Sequence, residues 1–225
     1  FEKEFFETKH KYPVKFLGHP LLDSISNFKK NYDSSSEQII TNKKEVIAIL
    51  PGSRKQEIKK ILNTVIKIVD YFPDHQFIVA GAPNIKLSYY KSILKNKRIK
   101  VIENKTYEIL SISTAAIVTS GTATLETALF KVPQVVCYKS SYFSYFIAKL
   151  IVNIKYISLV NLIMDQQIVK ELIQQDCNKD KIRNELEKIL DLNNKKSLQI
   201  KYDELTSILG NSGTSKRVAL DIIKK

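Results

Sequence analysis

Cysteine is nearly absent: Cys137 and Cys177 are the only two in 225 residues, both in apolar or helical surroundings. That excludes a disulfide framework and a cysteine metal site, and it makes a reducing cytoplasm the default compartment. Histidine is almost as scarce. His10, His19 and His75 sit in turn or surface contexts, with no HxxH, Cys–His or Ser–His–Asp spacing, so all three read as structural. Neither the Walker lysine pattern nor G-x-G-x-x-G occurs, which weighs against ATPase and dinucleotide-binding readings. No internal repeat or low-complexity tract stands out. The chain also opens without a methionine or a signal peptide. "FEKEFFETKHKY", with Phe1, Phe5 and Phe6 as the apolar edge of a short charged helix, reads as the middle of a longer protein.

What is abundant is positive charge, with 36 Lys and Arg against 23 Asp and Glu, a net +13. Such a balance favours an anionic partner: nucleic acid, nucleotide phosphates or an anionic membrane. It is equally what an Ile-, Asn- and Lys-rich chain carries as solvated surface. Only Arg54, Arg98, Arg183 and Arg217 are arginines. Nucleic acid is disfavoured, because the aromatics cluster with aliphatics rather than in a basic groove and no recognition motif is present.

Hydrophobic periodicity predicts the architecture. "VKFLG" after Pro13 reads as a short strand, and a polar linker is expected over 24–44. "VIAIL" (46–50) is an apolar run of strand length. "QEIKKILNTVIKIVDYF" (56–72) is helical, with Ile58, Ile61, Leu62, Val65, Ile66 and Val69 on one face. Strands follow at 76–83, 99–103, 115–120 and 133–139, separated by helices at 85–96, 106–113 and 122–131. From 168 onward the pattern reads as all helical. Continuous apolar strands alternating with amphipathic helices mean an α/β fold: a Rossmann-like parallel sheet with helices on both faces, spanning 45–210, and a helical C-terminal segment at 211–225.

In such sheets ligands bind beyond the carboxyl ends of the strands, where helix N-termini present free N–H groups. Two turns fit. In "LPGSRKQE", Gly52 permits close backbone approach, Ser53 can cap the helix, and Arg54 is read as its first residue. Ser53 and Gln56 have the spacing of a capping box, which needs no ligand. A capping box does not call for arginine there, where the helix dipole disfavours a cation, so Arg54 points to a phosphate contact. In "TSGTATLE" (119–126), Ser120, Gly121 and Thr122 form a similar turn. With Thr122 as N-cap, Glu126 lies outside any box and can accept ribose hydroxyls, or merely complement the helix dipole.

The most apolar window is "YFSYFIAKLIVNIKYISLVNLIM" (142–164). Lys149, Asn153, Lys155 and Asn161 interrupt it, and each central lysine costs about 2.5–3.5 kcal/mol on insertion, so it does not read as a membrane span. A helix lying against lipid or acyl chains and a buried core helix both fit.

Taken in order, "FEKEFF", "FLGHPLLD", "LPGSRKQEI", "TSGTATLETAL", "VVCYKSSYFSYFIAKLIVNIKYISLVNLI" and "VKELIQQDC" closely resemble the lipid-A-disaccharide synthases, glycosyltransferases of the GT-B fold. The resemblance runs nearly end to end; Val160 departs from it, where many relatives have proline before the Asn. It implies transfer of 2,3-diacylglucosamine from its UDP donor to 2,3-diacylglucosamine 1-phosphate, giving a β-1,6 disaccharide and UDP. This chain then resembles the C-terminal, donor-binding half, inactive alone, with 1–23 as the end of an absent N-terminal domain and the crossover from it.

The same resemblance implies roles. Gly52, Ser53 and Arg54 would neutralise the departing diphosphate, with Arg54 as the catalytic group and no metal or other cofactor required. Ser120, Gly121 and Thr122 would line the opposite wall, Glu126 would hold the ribose, and Asn161 would add a polar contact. The general base would lie in the absent domain. Residues 142–156 would face lipid, placing the protein peripherally on the cytoplasmic face of the inner membrane; a homodimer stays open. Other readings are half of another UDP-sugar transferase or of a UDP-sugar epimerase, and an inert nucleotide- or lipid-binding module.

Overall fold

The computed structural model describes residues 2–32, 44–95, 98–139 and 155–223. Its six strands are β1 (Glu45–Leu50), β2 (His75–Gly81), β3 (Ile99–Glu103), β4 (Ser113–Thr119), β5 (Gln134–Tyr138) and β6 (Lys170–Ile173). They form one sheet in the order β3-β2-β1-β4-β5-β6, and every pairing is parallel. The helices are α1 (Glu2–Lys9), α2 (Leu21–Asn31), α3 (Lys55–Val65), α4 (Leu87–Ile93), α5 (Thr106–Ser111), α6 (Thr122–Leu129), α7 (Leu159–Met164), α8 (Lys179–Leu190), α9 (Leu192–Leu209) and α10 (Thr214–Ile223).

Side chains alternate across a strand, so each continuous apolar run serves two cores. From β1, Ile47 and Ile49 join Phe77, Val79 and Ile117 beneath α3 and α8. Val46, Ala48 and Leu50 face the other way, toward Ile109 and Leu110 of α5. On α3 the expected face holds: Ile58, Ile61, Leu62 and Val65 are fully buried. The helix ends at Val65, and a 3-10 turn at Val69–Tyr71 completes the segment. A third core joins Leu125, Ala128 and Leu129 of α6 to Val160, Tyr202, Leu205 and Ile25.

Three expectations change. Residues 14–18 form no strand; Arg217 Nε donates to the Leu17 carbonyl at 2.8 Å, so this stretch is held by a side chain rather than by a ladder. The linker expected over 24–44 is helical through Asn31, because α2 sets Ile25 into the core with Leu21 and Leu22 against it; residues 33–43 lie outside the described residues. The segment from 168 is not all helical, since Lys170–Ile173 adds β6 to the sheet edge. Phe1 and the side chain of Phe5, and residues 142–154 of the apolar window, also lie outside the described residues. Among those described, no helix is long and apolar enough to cross a membrane.

The two ends of the chain clasp each other. The Asp23 carboxylate accepts from the backbone N–H groups of Gly213, Thr214 and Ser215 and from the Ser215 hydroxyl, capping α10 from nearly two hundred residues away. These bonds, led by that of the Ser215 N–H, hold its pKa down to about 2. Gly18 makes the approach possible: at φ +103°, a Cβ there would lie 2.6 Å from Thr214 Oγ1 and 2.7 Å from Arg217 Nη2.

Candidate functional site

Because β1 and β4 are neighbours while their crossovers run in opposite directions, a crevice opens beyond their carboxyl ends. The turns after these two strands are the two glycine turns. They face each other across a cleft of about 410 Å³ that contains Gly52, Ser53, Arg54, Ser120, Gly121, Thr122 and Glu126 in its lining. One expected site residue, Asn161, is not brought there.

At the first turn Gly52 adopts φ +94°, and a Cβ would meet Glu57 Oε2 at 2.8 Å and Thr119 Cγ2 at 3.4 Å. The second of these atoms belongs to the end of β4, so the first turn lies close against the strand that leads into the second. The expected Ser53 cap is not formed. Arg54, in extended conformation (φ −105°, ψ 134°), is the N-cap; its side chain makes no cap hydrogen bond, and Lys55 is the first helical residue. Ser53 therefore lies one step too early to close a box on Gln56, and among the described residues no side chain is bonded to the first-turn N–H groups of α3. The Arg54 side chain is 82% exposed, and its Nη1 lies 3.2 Å from Glu57 Oε1.

At the second turn Gly121, not Thr122, is the N-cap of α6, and the Thr124 hydroxyl donates to its carbonyl at 2.8 Å. Ser120 Oγ donates to the Ile157 carbonyl at 2.6 Å, so its hydroxyl has no proton left for a phosphate and can only accept. Half-buried Glu126 accepts from the Tyr107 phenol at 2.9 Å. Burial, and then the Glu126 charge, push the phenol pKa upward, so Tyr107 remains a donor. Thr119 Oγ1 is buried beside the cleft and has no hydrogen-bond partner among the described residues.

Asn161 is fully buried on α7 with its amide fully used. Nδ2 donates to the Val169 carbonyl (2.9 Å) and Glu171 Oε1 (2.8 Å); Oδ1 accepts from Ile168 N (2.8 Å) and Val169 N (2.9 Å). Two donors and two acceptor sites are all an amide offers, so nothing is left for a ligand, and the expected polar contact is replaced by a structural one. Sequence reasoning missed Glu57, Thr106, Thr119 and Tyr107. For Glu57 a signal existed, its i+3 spacing from Arg54; Tyr107 reaches Glu126 only through the fold. A larger hollow of about 670 Å³ runs along β6, but its charges include the pairs Lys181–Asp176 and Lys188–Glu185, and neither glycine turn reaches it.

A parallel sheet with a central crevice walled by two glycine turns is the architecture found in GT-B glycosyltransferases and UDP-sugar epimerases. Solved structures agree on that fold: an S. aureus MnaA–UDP co-structure (17% identity, TM-score 0.64, 95% of this chain and 55% of that one) and UDP-GlcNAc 2-epimerase from Neisseria meningitidis bound to UDP-GlcNAc (14%, 0.62, 96% and 57%). A glycosyltransferase of kitacinnamycin is similar as well (14%, TM-score 0.55, 86% and 46%). The family model described as lipid-A-disaccharide synthetase matches residues 1–220, and the chain belongs to that family. The lipid-A-disaccharide synthases of Hahella chejuensis and Persephonella marina are 32% and 33% identical to it over its whole length. The chain spans 59% and 62% of those proteins.

Proposed function

We propose that this chain is the donor-binding half of a lipid-A-disaccharide synthase: it holds UDP-2,3-diacylglucosamine while the sugar passes to 2,3-diacylglucosamine 1-phosphate and UDP departs. The observation that carries the reading is the uncapped start of α3, with Arg54 beside it, facing Gly121 across one cleft. As the anomeric bond breaks, negative charge builds on the diphosphate. Open N–H groups of the α3 turn and the Arg54 guanidinium meet that charge. Glu126, already oriented by Tyr107, accepts the ribose hydroxyls, and Ser120 accepts from a ligand N–H or O–H. The acceptor hydroxyl loses its proton to a base on the remaining part of the protein. Acyl chains lie along residues 142–156, which hold the enzyme on the cytoplasmic face of the inner membrane. The likeness to epimerases is one of fold alone, whereas the family match spans residues 1–220.

Calorimetric titration with UDP, with ADP as control, tests the reading. UDP is expected to bind selectively, and Arg54→Ala to weaken it roughly tenfold or more, the range for a charge-assisted bond. Equal affinity for UDP and ADP, or an Arg54→Ala chain that binds as wild type, would remove the role.

A further inference from the structure

The cleft already contains an anion of its own. Glu57 sits one turn into α3, its side chain 24% exposed, and folds back over the glycine turn. One carboxylate oxygen lies 3.2 Å from Arg54 Nη1; the other lies 2.8 Å from where a Cβ on Gly52 would stand. The carboxylate thus occupies the ground between the arginine and the turn, which a phosphate must reach to touch both. We infer that Glu57 is an internal stand-in for the diphosphate, and that donor binding is an exchange in which phosphate oxygens take Arg54 from Glu57. The inference rests on the donor-site reading and goes beyond it, because it assigns Glu57 an opposing sign: it lowers affinity for the charged nucleotide.

Two costs follow from this placement. Arg54 must leave a partner before it can serve the ligand, and the incoming diphosphate must approach a carboxylate. The pair itself is exposed on the arginine side and so is weak, which makes the exchange feasible. It also gives the largely exposed guanidinium a partner beside the turn. In the product complex the same carboxylate competes with UDP for Arg54 and favours its release. Glu57 is therefore a positioning residue and a release element, not a group that touches the reacting atoms.

Glu57→Gln keeps the shape and removes the charge. Titrating the 225-residue chain with UDP, inorganic pyrophosphate and neutral uridine separates the possibilities. UDP and pyrophosphate are expected to bind about three- to tenfold more tightly to Glu57→Gln than to wild type, while uridine is unchanged. The gain should shrink in added salt and vanish in an Arg54→Ala background. A structural role would move uridine and UDP together. If wild type binds UDP but Glu57→Gln binds it equally or more weakly, the exchange is wrong and the donor reading survives. If neither chain binds UDP, the donor reading fails and the exchange with it.

Discussion

Asn161→Ala separates a structural amide from a ligand contact. The substitution removes four hydrogen bonds of 2.8–2.9 Å, and it strips partners from the Val169 carbonyl, the Ile168 and Val169 N–H groups and one oxygen of Glu171. Val169 is 1% exposed, so its two groups find little water, whereas the Ile168 N–H keeps the Gln166 carbonyl at 2.9 Å and the Glu171 oxygen keeps Ser158 N and Oγ, so most of the cost falls on Val169. At about 1–3 kcal/mol for each buried group left unpaired, and less for those that keep a partner, destabilisation by about 3–4 kcal/mol is expected. Urea unfolding followed by circular dichroism reads this as a midpoint lowered by more than about 1 M at the slopes usual for a chain of this size. UDP affinity, measured well below that midpoint, should change less than about threefold. Wild-type stability combined with loss of UDP binding would refute the structural assignment and return Asn161 to the ligand.

Asp23→Asn should loosen the C-terminal helix, read as faster hydrogen exchange across residues 214–223. Because the folded pKa of Asp23 lies near 2, below the ordinary 3.8, its contribution is complete above pH 3.8 and is lost as pH falls toward 2; in wild type, protection relative to the intrinsic exchange rate should fall across that window, and in Asp23→Asn that loss of protection should be absent. Gly18→Ala places a methyl group within 2.7 Å of two side-chain atoms at positive φ, and a loss of about 1–3 kcal/mol is expected; a urea midpoint equal to wild type would show that Thr214 and Arg217 move aside freely. Tyr107→Phe removes the donor that orients Glu126, so UDP affinity should fall about two- to tenfold with stability changed by no more than about 1.5 kcal/mol; an unaltered affinity would detach Glu126 from the ribose.

The sheet was legible because each central strand is a continuous apolar run bounded by helix signals; "IKVIE" gave the bounds of β3 directly. What escaped lacks that signal. "KELI" carries an exposed Lys170 and the Glu171 carboxylate, so β6 reads as helix although it pairs with β5 along its length. "SISNFKKN" (24–31) looks like linker because its Ser and Asn content hides the body of a helix in which Ile25 alone is fully buried. The two glycine turns were legible as a site, since strand, glycine and helix start are local facts. Caps were not: S-x-x-Q is present at Ser53, yet the chain turns one residue later. Nor could the sequence foretell that Asn161 would meet Ile168, Val169 and Glu171, whose groups converge only when α7 docks on the start of β6.

Net charge and site charge also point different ways, which bears on how the ligand is held. The chain is formally +13, but among the described residues the charged side chains lining the cleft are Arg54, Glu57 and Glu126, one cation against two carboxylates, a local balance of −1. Under the proposed donor role, a diphosphate seated there meets no basic pocket among the described residues. Its binding must come from directional partners, the open N–H groups of the α3 turn and a single guanidinium, which lose little to screening at contact distance. The excess of lysine acts at longer range, raising the encounter rate of any anion with the whole surface and fading over about a Debye length. The two contributions have different salt signatures. Raising ionic strength should slow UDP association while leaving most of its dissociation rate intact, and a dissociation rate that climbed steeply with salt would place the binding energy on the lysine-rich surface instead of the turns.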